Sequence, residues 1–530
     1  MKKNKVTLND TGLFSNLICD FVNSALKFKF YDQYCSNMNH IHEFIKNNKK
    51  KPNSLLYNVL SSQYENTNFL RQDLSLVEFN ISLFQKNNTY TITTGHQLNI
   101  CANPVFLIYK IISVISCANY LNKNLSDYNF IPCFWMASED HDFDEIKNLN
   151  LYNKEYTWDI NTEDAVGHLP SQSLLSFIDQ LEFFLNDSEN GNKLLDIYKS
   201  SYANNKFYSD ATRSVLTSLF GDYGLVVVDG NHPDLKQLFI SDFKDEIANQ
   251  FVYESVKESS DIIKKYYKPQ INALKHNIFY LSKNKRQKII YNKNNFQTSN
   301  QKVKWSYSEL MQEIDNYPER FSPNVLLRPL YQERVMNNLM YIGGPSEISY
   351  WLQLNIMFNN RKQSFPLLSL RSHFLILSDK ISAVKKKIAL DDKDLFVNFE
   401  EQFKKIILQK TNIKTKDYYK KIEILLSSIE LEFNEIDGFP INSFYVFQKK
   451  IKDSFSRLES KIIKFEKNNF INLENHLNAI NNYIKPNNIH QERFISFIPY
   501  YLKYGQDFFD LLIKESSIFD NNYTILTEDD

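Results

Sequence analysis

Residues 90–121 read YTITTGHQLNICANPVFLIYKIISVISCANYL, and the fold class turns on them. YTITTGHQ (90–97) is an apolar, β-branched run of strand length. After CANP, Ile108, Ile111, Ile112 and Ile115 recur at helical spacing. A strand, a loop and a helix in that order make one β-loop-α unit, the repeating piece of a parallel sheet.

Outward from this unit the same grammar repeats. NFIPCFWMA (129–137), GLVVVDG (224–230), NVLLRP (324–329), LMYIGG (339–344) and SFPLLSLR (364–371) read as further strands, with the helical run SEISYWLQLNIMF after the fifth of the six. Near-continuous apolar strands alternating with helices predict an α/β fold, a Rossmann-like doubly wound parallel sheet buried on both faces. Residues 151–215 and 240–320 break the pattern and read as insertions into a core spanning 1–374. Beyond 374 the strand signal stops. Residues 375–530 read as helical, with DGFP (437–440) as a tight turn between two long helices. Phe444, Ile451, Leu458 and Phe465 fall seven apart, and Phe470, Leu477 and Ile484 resume the step after a slip. That spacing predicts an antiparallel coiled-coil arm, with ordinary bundle helices as the alternative, and residues 486–530 returning to the core.

Lys+Arg and Asp+Glu are equal at 62 each among 530 residues, so no bulk field is available to hold nucleic acid or an anionic membrane. The basic start MKKNK has no apolar stretch behind it, and no segment has the length of a membrane span, so a cytoplasmic protein is expected. Cys19, Cys35, Cys101, Cys117 and Cys133 are odd in number and form no CxxC pair, which predicts reduced, buried thiols and no structural metal. Only 11 glycines occur, far below the usual ~7%, so each carries information. Arg is scarce beside Lys, and its planar fork is expected where it does occur.

Ligands of an open parallel sheet collect beyond the carboxyl ends of its strands. Three charged or glycine-bearing stretches lie there. SEDHD (138–142) offers Glu139, Asp140, His141 and Asp142. If the segment stays extended, Glu139 and His141 face one side and Asp140 and Asp142 the other. Polar substrate recognition, loop capping and a bound metal are all open to such a cluster, and flanking acids favour a protonated His141. TTGHQLNICANP places His96 and Gln97 at the sheet edge, with Asn103 as N-cap and Pro104 in the first helical turn above free N–H groups that suit an anion. It is neither a GxGxxG nor a P-loop sequence. RPLYQERVMNNLMYIGGPSEISYW (328–351) gives Arg328 at a strand end, adjacent Gly343 and Gly344 where a ligand backbone can approach, and Glu347 as helix cap or amine ligand. Arg371, ending the last strand, is an anion ligand or a surface ion-pair partner.

TTGHQLNICANPVFLIYK, FWMASEDHDFDEI, LVVVDGNHPDL, FSPNVLLRPLYQE, YIGGPSEISYWLQL and IKPNNIHQERFISFIPYYLKYG resemble, in order and nearly end to end, the cysteine ligase family of bacillithiol biosynthesis. The resemblance implies a core similar to class I aminoacyl-tRNA synthetases with connecting-peptide insertions, and a coiled-coil domain associated with homodimer formation. It implies ligation of L-cysteine to the sugar amine of glucosaminyl-malate, with ATP activating the carboxylate as an adenylate or acyl phosphate and Mg2+ at its phosphates. On this reading His96, His141 and Asp140 are catalytic, and Gln97, Glu139, Asp142, Glu347 and Arg371 bind substrate. Asn103, Lys110, Arg328, Gly343 and Gly344 bind nucleotide. CANP stands where the family has FTGP, with Asn103 in place of glycine. The alternatives are a nucleotidyl or phosphoryl transferase on the same fold, and a non-catalytic scaffold built on the arm. QER (491–493) is a second polar pocket or a structural lock.

Overall fold

The computed structural model describes residues 1–28, 37–70, 73–282, 285–292, 295–410 and 415–528. Five strands, Thr89–His96, Asn129–Met136, Val226–Asp229, Asn338–Gly343 and Leu367–Leu370, form one sheet. Its order is Leu367–Leu370, Asn338–Gly343, Thr89–His96, Asn129–Met136, Val226–Asp229, and every neighbouring pair is parallel. Chain order therefore reverses between Thr89–His96 and Asn338–Gly343, which creates a switch point at the ends of those two strands.

The sheet holds because its strands are buried on both faces, and the polar side chains among them are satisfied internally. Thr91 and Thr93 donate to Asn338 Oδ1 at 3.1 and 2.8 Å. The helix Phe106–Asn124 follows the first strand, and Ile108, Ile111, Ile112 and Ile115 on it are all fully buried. Each such side chain contributes about 1.5–3 kcal/mol by leaving water.

The chain divides into two compact units. The larger comprises Phe14–Phe374 with Glu492–Thr524, and the smaller Met1–Leu13, Leu375–Gln491 and Ile525–Asp530. In the larger unit a second, antiparallel sheet runs in the order Lys304–Trp305, Asn295–Thr298, Lys285–Asn292, Ile278–Ser282, Phe321–Pro323. In the smaller unit the helices Thr415–Asn434 and Ile441–Glu466 run antiparallel, with Tyr419 against Phe455 at 5.8 Å and Phe433 against Phe444 at 5.5 Å. Gly438, at φ +75°, makes the turn between them.

Three expectations change. NVLLRP is not a sixth strand of the parallel sheet: pairing stops at Pro323. The Asn324 side chain then accepts from Leu326 N and Leu327 N at 3.0 and 3.1 Å and turns the chain into the helix Arg328–Val335. Strand structure also continues beyond 374, since Lys2–Thr7, Asn522–Thr527 and His373–Leu377 form a three-stranded sheet. In the seven-residue row on the arm Phe444, Leu477 and Ile484 are buried, while Leu458 is 53% and Phe465 78% exposed. Cys101, Cys117 and Cys133 are buried free thiols and Cys19 is partly exposed; Cys35 lies outside the described residues.

Candidate active site

All five parallel strands deliver residues from their carboxyl ends into one cavity of about 520 Å3 at the switch point. Gly95, His96 and Gln97 come from the first strand, and Trp135, Glu139 and Asp140 from the second. Asn231, Glu347 and Arg371 follow the other three.

His96 ends its strand against the ring of Phe106, 5.1 Å between centroids. Its Nδ1 faces two oxygens, Asn99 Oδ1 at 3.0 Å and Gln97 O at 3.3 Å. Nδ1 therefore carries the proton, and Nε2 is left as an acceptor. Burial, with the Lys110 ammonium nearby, pushes the imidazole down to about 4, so it is neutral at neutral pH.

Beneath it lies a buried ion pair. Lys110 Nζ donates to Gly95 O and to the two Glu347 carboxylate oxygens at 2.9 and 2.8 Å. Three donors thus meet three acceptors. Glu347 also accepts from Tyr341 OH and Gly344 N, both at 2.8 Å, so it caps its own helix, Pro345–Leu352, while it lines the cavity. Burial raises the Glu347 carboxyl, but Lys110 and the Gly344 N–H outweigh it and hold the group at about 2. Gly344 has an extended backbone at φ −75°, ψ 172° that any residue adopts. Its importance is space, since a Cβ there would stand 3.4 Å from Glu347 Oε2 and 3.9 Å from Arg371 Nε.

On the second strand the chain turns immediately after Met136. Asp140 N bonds Ala137 O at 3.2 Å, and Asp140 Oδ1 accepts from His141 N at 2.8 Å. This turn breaks the expected side-to-side alternation and brings the adjacent Glu139 and Asp140 to one wall. Glu139 is held by the buried Lys236 ammonium. Asp140 accepts from Gln97 Nε2 at 2.8 Å and Arg286 Nη1 at 3.2 Å. Burial acts to raise its carboxyl, and His141, Arg286 and Gln97 together hold it well below the usual carboxylate range.

The structure places five of the expected residues off this wall. His141 is half exposed and tilts against the Phe279 ring at 5.6 Å, and Asp142 is exposed beside it. The EDHD side chains therefore do not converge on one ion, and among the described residues no three metal-ligating groups gather elsewhere. Asn103 is buried with Nδ2 donating to Cys101 O at 2.8 Å. It caps no helix: the helix begins at Phe106, and the preceding Val105 N–H is taken by Ile495 O at 2.9 Å. Lys110 spends its donors on Glu347 and Gly95, as above. Gly343 is packed under Tyr341 and Glu347, where a Cβ would come within 3.0 Å of the Tyr341 ring.

Several wall residues escaped the sequence reading. The segment taken as an insertion supplies His276, Phe279, Arg286 and Lys288, and the QER segment supplies Arg493. The scarcity of Arg was a usable signal for Arg286 and Arg493. Charge on the wall is unbalanced. Glu139, Asp140 and Glu347 are each paired with a cation. Among the described residues Arg328 bonds only neutral groups, Gln332 Oε1 at 2.9 Å and Tyr350 OH at 3.2 Å, and Lys288 lines the same cavity. Such a wall suits anionic ligands.

Residues 1–372 match the N-terminal Rossmann-like domain of bacillithiol biosynthesis BshC, and residues 374–528 match its C-terminal coiled-coil domain. The chain belongs to the BshC family. BshC relatives named "Putative cysteine ligase BshC" span it nearly end to end. One from Flavobacterium johnsoniae is 33% identical over 98% of this chain and 99% of its own. Another from Flavobacterium psychrophilum is 33% identical over 95% of each, and one from Christiangramia forsetii 30% identical over 99% of each. No described helix is long and apolar enough to cross a membrane.

Proposed function

We propose that this BshC protein is a ligase that joins L-cysteine to the sugar amine of glucosaminyl-malate, with ATP activating the cysteine carboxylate. The observation that carries the reading is His96: a neutral imidazole with a fixed tautomer, at the switch point, in a cavity whose unpaired charge is positive. Amide formation requires the attacking ammonium to lose a proton, and Nε2 of a neutral histidine is the group to take it. Arg328 and Lys288 offer cationic donors to phosphate oxygens and to charge developing on the activated carboxyl group. Mg2+ would neutralise phosphate charge when bound with the nucleotide. On this reading Glu347 and Gln97, which line the cavity, would meet an amino group and a carbonyl. Support for cysteine comes from the names of the relatives, and support for an anionic amine from its fit to the cationic groups of this wall.

A homodimer through the arm belongs to the same proposal. Leu431, Val446, Leu458 and Phe465 on its two long helices are exposed by half or more, an apolar surface that a second copy would cover.

The test is a mass-spectrometric assay of purified protein with cysteine, glucosaminyl-malate, ATP and Mg2+, following the amide and the nucleotide together. Amide with AMP supports an adenylate route, and amide with ADP an acyl phosphate. Folded protein that yields no amide and no cysteine-dependent nucleotide turnover contradicts the reading.

A further inference from the structure

The ring of Phe106 carries a guanidinium at each of two approaches: Arg371 lies 5.7 Å and Arg493 5.6 Å from its centroid. The two come from distant parts of the chain and reach the ring by different supports. Arg371 is buried and gripped along one edge by Glu492, with Nη2 and Nη1 donating to its carboxylate at 2.6 and 3.0 Å. His373 Nδ1 sits 3.1 Å from the same carboxylate, and Ser372 O takes a further bond from Nη1 at 3.0 Å. What remains of Arg371 is its Nε edge, which faces the open space beside Gly344. Arg493, the next residue after Glu492, is exposed on the cavity wall. Its segment is pinned to the helix start under Phe106 by the Val105 N to Ile495 O bond at 2.9 Å. Ser346, in the first turn of the helix Pro345–Leu352, lies on the same side of the cavity.

From this arrangement we infer that Arg493, with the Nε edge of Arg371 and Ser346, is a carboxylate-recognition end of the cavity that takes the dicarboxylate portion of the amine substrate. The inference rests on the ligase reading above and extends it to the residue that selects the substrate. A planar fork beside a second guanidinium matches two neighbouring carboxylates better than one tetrahedral phosphate. Both guanidiniums lie within cation–π reach of Phe106, and the same ring packs against His96. A ligand anchored at Arg493 therefore extends past Phe106 toward the base, which places its amine end where the proton must be taken. Glu492 is the positioning residue, since it fixes which edge of Arg371 is free.

The experiment is calorimetric binding of malate to the full chain, with no cysteine or ATP present, comparing wild type, Arg493→Gln, Arg493→Lys and Lys193→Met. Wild type should bind malate more tightly than inorganic phosphate. Arg493→Gln should weaken malate at least tenfold, Arg493→Lys should recover only part of the loss, and Lys193→Met, an exposed lysine outside the cavity, should leave malate binding within twofold. The exposed Arg493 makes no hydrogen bond that folding needs, so an unchanged melting temperature is expected for both of its variants. Malate binding that is absent from wild type, unchanged in Arg493→Gln, weaker than phosphate binding, or equally lost in Lys193→Met overturns the inference. Arg493-dependent malate binding in a protein that makes no amide overturns the ligase reading alone. Amide formation with an unchanged KM for glucosaminyl-malate in Arg493→Gln overturns this inference alone.

Discussion

At the scale of single residues, the Lys110–Glu347 pair shows why two charges are kept under the cavity floor. Lys110 is fully buried, and its partner carboxylate is shared with Tyr341 and the Gly344 N–H. Removing one member leaves the other charge buried and unpaired, which costs about 3–5 kcal/mol, whereas replacing both with apolar groups of similar volume costs much less. Lys110→Met should therefore lower unfolding free energy by about 3–5 kcal/mol in urea titration, and the double variant Lys110→Met, Glu347→Leu should recover much of it. Equal stability of Lys110→Met and wild type would contradict the pairing. His96 is a different case, because its protonation state rather than its charge matters. Burial and Lys110 keep it neutral down to about pH 4, so its use as a base is not lost at the pH where a free histidine would protonate.

At the scale of elements, the two strand ends that flank the switch point do most to shape the site. Gly344 is extended rather than left-handed, so a side chain there is compatible with the backbone and incompatible with a ligand in the space beside Glu347 and Arg371. Gly344→Val should keep the circular dichroism and melting temperature of wild type and reduce ligand affinity at least tenfold by calorimetry; full affinity would show that the ligand does not pass this point. The five parallel strands were legible because each is a near-continuous apolar run, and the helix after the first strand because its isoleucines keep one spacing. The fate of NVLLRP was not legible, because a single side chain, Asn324, decides between strand and turn. The wall built by Ile278–Ser282 and Lys285–Asn292 was hidden for another reason. Its strands are half exposed and mix Arg286, Gln287 and Lys288 with apolar residues, so they look like solvated insertion until the fold turns that face toward Asp140. His96, Gln97, Glu139, Asp140, Arg328, Gly344, Glu347 and Arg371 could be picked from the sequence because strand ends and glycines mark them. Arg493 could not be placed, since only tertiary packing brings it to Phe106.

At the scale of the whole molecule, the sequence divides its labour between a unit that holds the cavity and a helical unit that exposes apolar side chains. The seven-residue spacing predicts a coiled-coil arm, and Phe444, Leu477 and Ile484 are buried in it, yet Leu458 and Phe465 face outward. On the dimer proposal a second copy would cover these exposed apolar side chains. Leu458→Asp with Phe465→Asp should halve the mass measured by light scattering after gel filtration, with the cavity unaffected, as shown by unchanged malate binding. A mass that stays that of a dimer would remove the arm from the interface, and a wild type that is itself monomeric would remove the dimer.

The central claim is that amide formation occurs at the switch-point cavity with His96 taking the proton from the attacking amine. The most direct measurement is the rate of cysteine-dependent amide formation by His96→Ala beside wild type, at matched folded fraction and saturating ATP. General-base catalysis of this kind contributes about 10²–10⁴-fold, so kcat should fall by that factor while KM for ATP changes little. A His96→Ala protein that is folded and makes the amide at the wild-type rate would contradict the account.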